Sequence, residues 1–515
     1  MNTADILLRS NHIFSGLTDS ASPGFVAISG NKILAIGNDD GSSYISESTK
    51  VYNMNDQVIC PGFSDVHCFF AGYLLTIYGK DLSFCNSSDE VLSQIHEYQS
   101  SLVYGSTIIC RNLKSNFSSL TREKLDEEFG SVSVILFYNG GECCYMNSAA
   151  YVEYNFTPDT CWSESYWKLL KYILNDKEFS VPEFKKYIHM MNSRGVTSTK
   201  EMGFDDYYGF TDVLADLEKS NELTMRVHFM SQPVGAAMNL AYGEKMRQKF
   251  QGAFVRFSGY NQMTDGSISQ LEGDMKEPYL CADTCCTKEI DWNTLRSDVL
   301  AADKRDFRFS LHAQGDAAIA KTVEIFSECK KDNNGKIINR HAITDLECSD
   351  PADLERMAEL GIVAEIYPQI MSIADRVGKT EMIQEKIGDA RGNFYWNRRK
   401  MQDSGVTISC GTDLPLLYDD IPESIYHSTY ALFPEGGEPF NKANTLSVGE
   451  LLKAWTSNGQ YNLGRLDELG TLEEGKLADI AVLNADVFTV PAASIREVKV
   501  YMTIVDGKVV YTKDC

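Results

Sequence analysis

The 515-residue chain has no apolar run of the roughly 18 residues that a membrane-spanning helix needs. Basic residues are scarce: 48 Lys and Arg stand against 72 Asp and Glu, a formal net charge of -24. Phosphate backbones and anionic lipid surfaces are recognised by clustered positive charge, so neither nucleic acid nor a membrane is an expected partner. The first residues, MNTADILLRSNHIFSG, lack the basic start and apolar stretch of a secretory leader. The 14 cysteines are scattered. The clusters at Cys143-Cys144 and Cys281 to Cys286 have no Cys or His pair at zinc-finger spacing. They are expected to be reduced thiols of a cytoplasmic protein. No internal repeat or low-complexity tract is present.

What is present is enough apolar residue, 43% hydrophobic against 23% charged, to build a sizeable core. Both ends read as short strands separated by polar turns, as in GFVAISGNKILAIGN and KVYMTIVDGKVVYTKD. Neither end has strands enough for a stable sheet alone, so the two are expected to join in one small β-sandwich. Between them short apolar runs closed by polar residues alternate with helical patterns: GVTSTKEMG, MRVHFMSQP, AFVRFSG, RFSLHAQGD, RHAITDL, GIVAEIYPQ and VTISCGTDLP. Repeated β-then-α of this number predicts an α/β fold, a TIM-like (β/α)8 barrel. Residues 1–60 plus 466–515 are assigned to the sandwich, and 61–80 plus 190–465 to the barrel. Residues 81–189 fit the rhythm poorly and are assigned to an inserted α/β subdomain. Barrel chemistry sits at the C-terminal ends of strands, which directs attention to the polar residues that close these runs.

PGFSDVH, MNSAA, GVTSTKEMG, LHAQGDAA, RHAITD, GTDLP and LGTLEEGKLADIAVLNADVFTV, in this order, resemble the amidohydrolase superfamily, in the branch of N-substituted formamide deformylase-like proteins. The resemblance implies a distorted barrel with a two-ended sandwich, and hydrolysis of a C–N bond by metal-activated water. Carried over position by position, it makes His67 the first ligand of a first-strand pair whose second place holds Phe69. His312 matches a fifth-strand ligand, and Asp413 the catalytic Asp. Asp345 stands where a sixth-strand His belongs, His341 matches an outer His expected to help hold the substrate, and Arg256 falls where the branch has a strand-four Lys. Glu142 falls where relatives have a substrate-side His. Arg cannot replace a bridging Lys, because its guanidinium offers no lone pair. No ordinary binuclear centre is therefore expected.

Three readings remain open at this stage. In the first, a small-molecule amide, formamide or cyclic amide is hydrolysed with one divalent ion, zinc by preference, held by His67, His312, Asp345 and Asp413. In the second, a metal-free enzyme uses Arg256 as its cation and as a clamp on an anionic substrate, His312 or Asp413 for proton transfer, and Lys200 with Glu201 as an acid-base pair. In the third, the barrel only binds a ligand. Each residue also has a plainer reading, as a hydrogen-bonded strand end or a structural ion pair. Cys68, between His67 and Phe69, is expected to point into packing. A homodimer is the expected assembly.

Overall fold

The computed structural model describes residues 3–114, 117, 119–138, 144–155, 161–205, 209–233 and 236–513, with 161–167 in backbone only. Two compact units divide the chain: Phe69–Phe184 with Asp206–Val213, and the remainder. In the larger unit, VTSTKE and RVHFMS are buried at every position. Strands covered on both faces read this way, as nearly continuous buried runs rather than alternating ones. They belong to a parallel sheet of β1 (Phe63–Cys68), β2 (Val196–Glu201), β3 (Arg226–Ser231), β4 (Val255–Met263), β5 (Phe309–Ala313), β6 (Ala342–Asp345), β7 (Val363–Ile366) and β8 (Thr407–Cys410), paired in that order.

The seam between β8 and β1 is thin. It consists of one bridge, Cys68 with Leu414, and one hydrogen bond, from Asp413 N–H to the His67 carbonyl at 2.7 Å. The buried Asp65 carboxylate reinforces it by accepting the Thr412 N–H at 3.0 Å, the Thr412 hydroxyl at 2.6 Å and the His67 N–H at 3.2 Å. These bonds hold the ends of β1 and β8 together and close the α/β barrel.

Helices follow the strands where their signals predict. Pro351–Leu360 begins after Asp350, whose side chain accepts the Ala352 N–H, carries Pro at its first turn and ends at Gly361 with φ 72°. Asp316–Phe326, Val448–Trp455 and Ser457–Leu463 match the other helical patterns. In β4 the strand does not stop at Gly259, where AFVRFSG ends. It passes through that residue at φ 99°, where a Cβ would lie 2.1 Å from the Arg308 carbonyl oxygen, and continues to Met263. Only glycine allows this passage.

The two chain ends meet in one eight-stranded sheet. Its order is Lys508–Thr512, Val500–Val505, Ile480–Leu483, Val58–Pro61, Ile6–Ile13, Ser22–Ser29 and Lys32–Gly37, with Lys50–Asn53 also against Ile6–Ile13. Alternation along the strands splits the apolar residues, with Ile6, Leu8, Val26 and Ile28 in one cluster and Leu7, Phe25 and Ala27 in another. The smaller unit has its own four-stranded sheet, Cys144–Met146, Val134–Tyr138, Ile108–Leu113 and Lys80–Asp81, over a core of Val91, Ile95, Ile108, Leu125 and Leu136. Its bounds differ from the 81–189 drawn from sequence. Among the described residues ten cysteines are free, Cys144 is disulfide-bonded, and no helix is long and apolar enough to cross a membrane.

Arg226 of β3, fully buried, ties the barrel to the terminal sheet. Its guanidinium donates to both Asp479 carboxylate oxygens at 2.8 and 2.9 Å and to Asp506 at 3.2 Å. Removing one partner of such a pair leaves the other charge buried and uncompensated. Arg226→Met is therefore expected to cost about 3–5 kcal/mol, read as a drop in the urea midpoint at unchanged slope. A drop of less than about 1 kcal/mol would make the pair dispensable.

Candidate active site at the barrel mouth

Strand ends bring four side chains together: His67 from β1, His312 from β5, Asp345 from the last position of β6, and Asp413 just past β8. His67 Nε2 lies 3.7 Å from Asp413 Oδ1, and His312 Nε2 lies 3.1 Å from Asp345 Oδ2. The Gln314 side-chain amide stands 3.2 Å from the same His312 nitrogen. Asp345, Leu346 and Asp413 have φ of 82°, 56° and 51°. Left-handed backbone is uncommon outside glycine, and here it lies at the two carboxylates, at the ends of β6 and β8. Below His312, the buried Asp265 carboxylate accepts the backbone N–H groups of Asp274, Gln314 and Gly315 at 2.8–2.9 Å, and so fixes the loop that leaves β5.

Charge at the mouth is poorly balanced. Burial, with Asp345 alongside, pushes the Asp413 carboxyl up to about 8, against the pull of His312. Burial opposes protonation of His312, but the hydrogen bond and charge of Asp345 outweigh it, and the imidazole is raised. Burial lowers His67.

Beneath this layer the barrel interior holds an ionic cluster that motif reading does not reveal. Glu365 of β7 and Lys200 of β2, both fully buried, are hydrogen-bonded across the barrel. Arg308 donates to Glu365 Oε1 at 2.5 Å, Asn462 to the same oxygen at 2.9 Å, and the Thr344 hydroxyl to Oε2 at 2.7 Å. Burial alone would raise Glu365, but Lys200 and Arg308 hold it well below the usual carboxylate range. The Glu365 Oε2 lies 3.7 Å from His67 Nδ1, on the far side of the ring from the Nε2 that faces Asp413.

Several expectations are corrected. Arg256 lies near the start of β4, far from its C-terminal end. It reaches Glu468 at 3.5 Å and the Gly252 carbonyl at 3.3 Å, so it neither catalyses nor clamps substrate here. The inward residue of β4 is Asn261, brought there by the passage through Gly259. Its amide donates to Gln232 at 3.1 Å, while its buried Oδ1 has no partner. Lys200 and Glu201 are not a pair, because adjacent strand residues point to opposite faces. Glu201 accepts the Tyr187 hydroxyl at 2.6 Å, and the Cys68 thiol lies at 3.5 Å, on the outer side of β2. Lys200 is committed to Glu365. His341 precedes β6, at the opposite end from the mouth. Its Nδ1 accepts the Phe309 N–H at 3.0 Å and its Nε2 faces Asp303 at 3.0 Å, so it does not hold substrate. Glu142 lies outside the described residues.

The one group of three His, Cys, Asp or Glu donors within 4.8 Å of one another, among the described residues, is Asp303, Cys329 and His341. Both His341 nitrogens are occupied as just described, and Asp303 also accepts from Asn339 and Lys330. That group is a hydrogen-bonded cluster, not a metal site. The mouth set stands as two close pairs. Two imidazoles and two carboxylates nevertheless form a suitable zinc donor set, and a cation between them would relieve the strained charge of Asp413.

Beside Asp345, a small cavity is lined by Leu346, Ile366, Tyr367, Trp396 and Arg398. The Tyr367 ring packs edge-on to His67 at 5.4 Å. Next to it stands His427, whose Nδ1–H donates to the Leu432 carbonyl at 2.8 Å and whose buried Nε2 has no partner. Burial lowers this imidazole to about 4. An unfolded histidine titrates near 6.5, so the unfolded state takes up the proton first as pH falls. The stability contributed by neutral His427 is lost between about pH 6.5 and about pH 4, up to about 3 kcal/mol. Urea midpoints measured from pH 7 to pH 4.5 should fall less steeply in His427→Gln than in the wild type. Parallel profiles would show that His427 does not carry the acid sensitivity.

The model of the amidohydrolase family matches residues 50–511. The chain is 23% identical over 510 residues to the amidohydrolase YtcJ of Bacillus subtilis (strain 168), covering 91% of this chain and 92% of that protein. It is 26% identical over 216 residues to the N-substituted formamide deformylase of Arthrobacter pascens, which covers 41% of this chain and 38% of the relative. In fold it is similar to an uncharacterized metal-dependent hydrolase of Pyrococcus furiosus. The TM-score is 0.72 at 20% identity, over 94% of this chain and 100% of the other. With a family match across nearly the whole chain, on a barrel whose polar residues gather at the strand ends, this chain belongs to the amidohydrolase family, as a hydrolase of carbon–nitrogen bonds other than peptide bonds.

Proposed function

We propose that the protein hydrolyses a carbon–nitrogen bond of a small amide, formamide or cyclic amide at the barrel mouth, with one divalent ion, zinc by preference, held by His67, His312, Asp345 and Asp413. The observation that supports this reading is the placement of two imidazole–carboxylate pairs, His67 with Asp413 and His312 with Asp345, at the ends of β1, β5, β6 and β8. Bound there, such an ion would acidify a water molecule and polarise the scissile carbonyl. The chain's own residues supply the rest. His67 lies between Glu365 on its Nδ1 side and Asp413 on its Nε2 side, so that Nε2 faces the mouth. Asp413, at the mouth beside His67, is placed to accept a proton at its carboxylate and return it to the leaving nitrogen.

One ion rather than two is proposed from the residues at the remaining strands. Asn261 offers a neutral amide on β4, and Lys200 is held in its ion pair. The metal-free reading loses the cation assigned to it, because Arg256 lies with Glu468. Metal analysis by plasma mass spectrometry, on protein purified without chelator, tests the proposal. About one ion per chain is expected, lost in His312→Ala, together with turnover of at least one member of an amide, formamide and cyclic urea panel. Asp413→Asn should lower kcat by about 100-fold or more. Folded, monodisperse wild type without metal would overturn the reading.

A further inference from the structure

A buried tyrosine hydroxyl ordinarily finds a hydrogen-bond partner, because burial without one forfeits its hydration. Five deeply buried tyrosines of the larger unit follow this rule. Tyr187 donates to Glu201 at 2.6 Å, Tyr260 to the Asn239 carbonyl at 2.9 Å and Tyr279 to the Gly273 carbonyl at 2.6 Å. Tyr242 donates to the Phe204 carbonyl and Tyr395 to Glu347. Tyr367 and Tyr426, 4% and 7% exposed, differ: neither hydroxyl has a hydrogen-bond partner among the described residues. Position separates these two. Tyr426 lies on the helix Glu423–Ser428, outside the barrel sheet, with the Arg496 guanidinium 5.1 Å from its ring centre. Tyr367 lies at the barrel mouth.

Tyr367 comes directly after β7, two positions on from Glu365, and so takes the same inward face one step nearer the mouth. Its ring stands edge-on to His67 of β1, 5.4 Å between centroids, which agrees with that direction. Its backbone carbonyl is held by the Ile370 N–H at 3.2 Å and by Arg398 Nη2 at 3.0 Å. Because β7 pairs with β6 on one side and β8 on the other, Tyr367 rises between the strands that carry Asp345 and Asp413. Those two carboxylates keep 15% and 25% of their side-chain surface open, so the mouth is accessible beside the ring. Burial first, then the charges of Asp413, Asp345, Glu365 and Asp65, push the phenol well above its ordinary range. It therefore holds its proton at neutral pH and is a donor without an acceptor.

We propose that Tyr367 is a catalytic residue, whose hydroxyl donates a hydrogen bond to the carbonyl oxygen of the bound amide and to the oxyanion formed when water adds to that carbon. This rests on the hydrolytic reading. In the addition, a water oxygen bonds to the carbonyl carbon, the π pair moves onto the carbonyl oxygen, and the water proton goes to Asp413. In the collapse, the C=O bond re-forms, the C–N bond breaks, and the nitrogen leaves with that proton. A neutral donor fixed at the carbonyl oxygen stabilises the oxyanion more than the planar amide. It also adds no further negative charge to a mouth that already holds two carboxylates.

The test compares the wild type with Tyr367→Phe, which keeps the ring, and with Tyr426→Phe as the control hydroxyl. On the amide of the panel that the wild type turns over best, Tyr367→Phe should lose about 100-fold in kcat with KM within about 3-fold, and Tyr426→Phe should match the wild type. Since the Tyr367 hydroxyl bonds to no described protein group, the urea midpoint of Tyr367→Phe should not fall. A midpoint that falls together with kcat marks a structural role and overturns the proposal, as does a kcat within about 3-fold of the wild type. Calorimetry with methylphosphonate, a tetrahedral oxyanion mimic, reads the donor without turnover. The wild type should bind it at least about 10-fold more tightly than Tyr367→Phe. Equal affinity overturns the donor role, and so does a wild type that does not bind the mimic, a result that needs no variant. The two ideas fail separately. No turnover across the panel, with the methylphosphonate difference intact, removes the hydrolytic reading and leaves the oxyanion donor standing. Undiminished turnover in Tyr367→Phe removes the donor and leaves hydrolysis standing.

Discussion

Five donors converge on one buried carboxylate, and the interior of the barrel depends on it. Glu365 accepts from Lys200, Arg308, Thr344, Asn462 and, more weakly, Ser310. These residues come from β2, the start of β5, β6, a helix following β8 and β5 itself. A barrel normally fills this layer with branched apolar side chains. Here a charge network fills it, and such a network tolerates no partial occupancy, since each missing partner leaves a charge without compensation. The arrangement also sets direction. With Glu365 held ionised by two cations, His67 has one nitrogen facing inward to a carboxylate and the other facing the mouth.

The mouth inherits its geometry from two further constraints. One is the thin seam between β8 and β1, where Asp65 gathers the Thr412 and His67 backbones and so fixes Asp413 relative to His67. The other is Asp265, which clamps the loop after β5. Both carboxylates accept several backbone N–H groups, which fixes the loops around them although burial still raises both carboxyls. Asp345 and Asp413 are not spent in this way. They are left with imidazoles and with each other, on left-handed backbone that packing must enforce. Unbalanced charge on strained backbone at a strand end marks a site kept for a ligand rather than for stability.

The sequence by itself determined the alternation of strand and helix, the helix boundaries marked by Asp350, Pro351 and Gly361, and the strand-end positions of His67, His312, Asp345 and Asp413, because periodicity, caps and ordered motifs are local signals. It also carried an unused hint. Glu365 is a lone acid inside the apolar run GIVAEIYPQ, and a charge in a strand buried on both faces must have a partner. Which partner was decided only by the tertiary structure, because Lys200 and Arg308 lie 165 and 57 residues away. The same holds for Arg256, removed from the site because β4 runs on through Gly259 to Asn261, and for Lys200 and Glu201, neighbours in the chain that face opposite ways. Pairing across a barrel depends on strand register and on which face each residue takes. Those are properties of the assembled sheet, set by contacts between segments far apart in the chain.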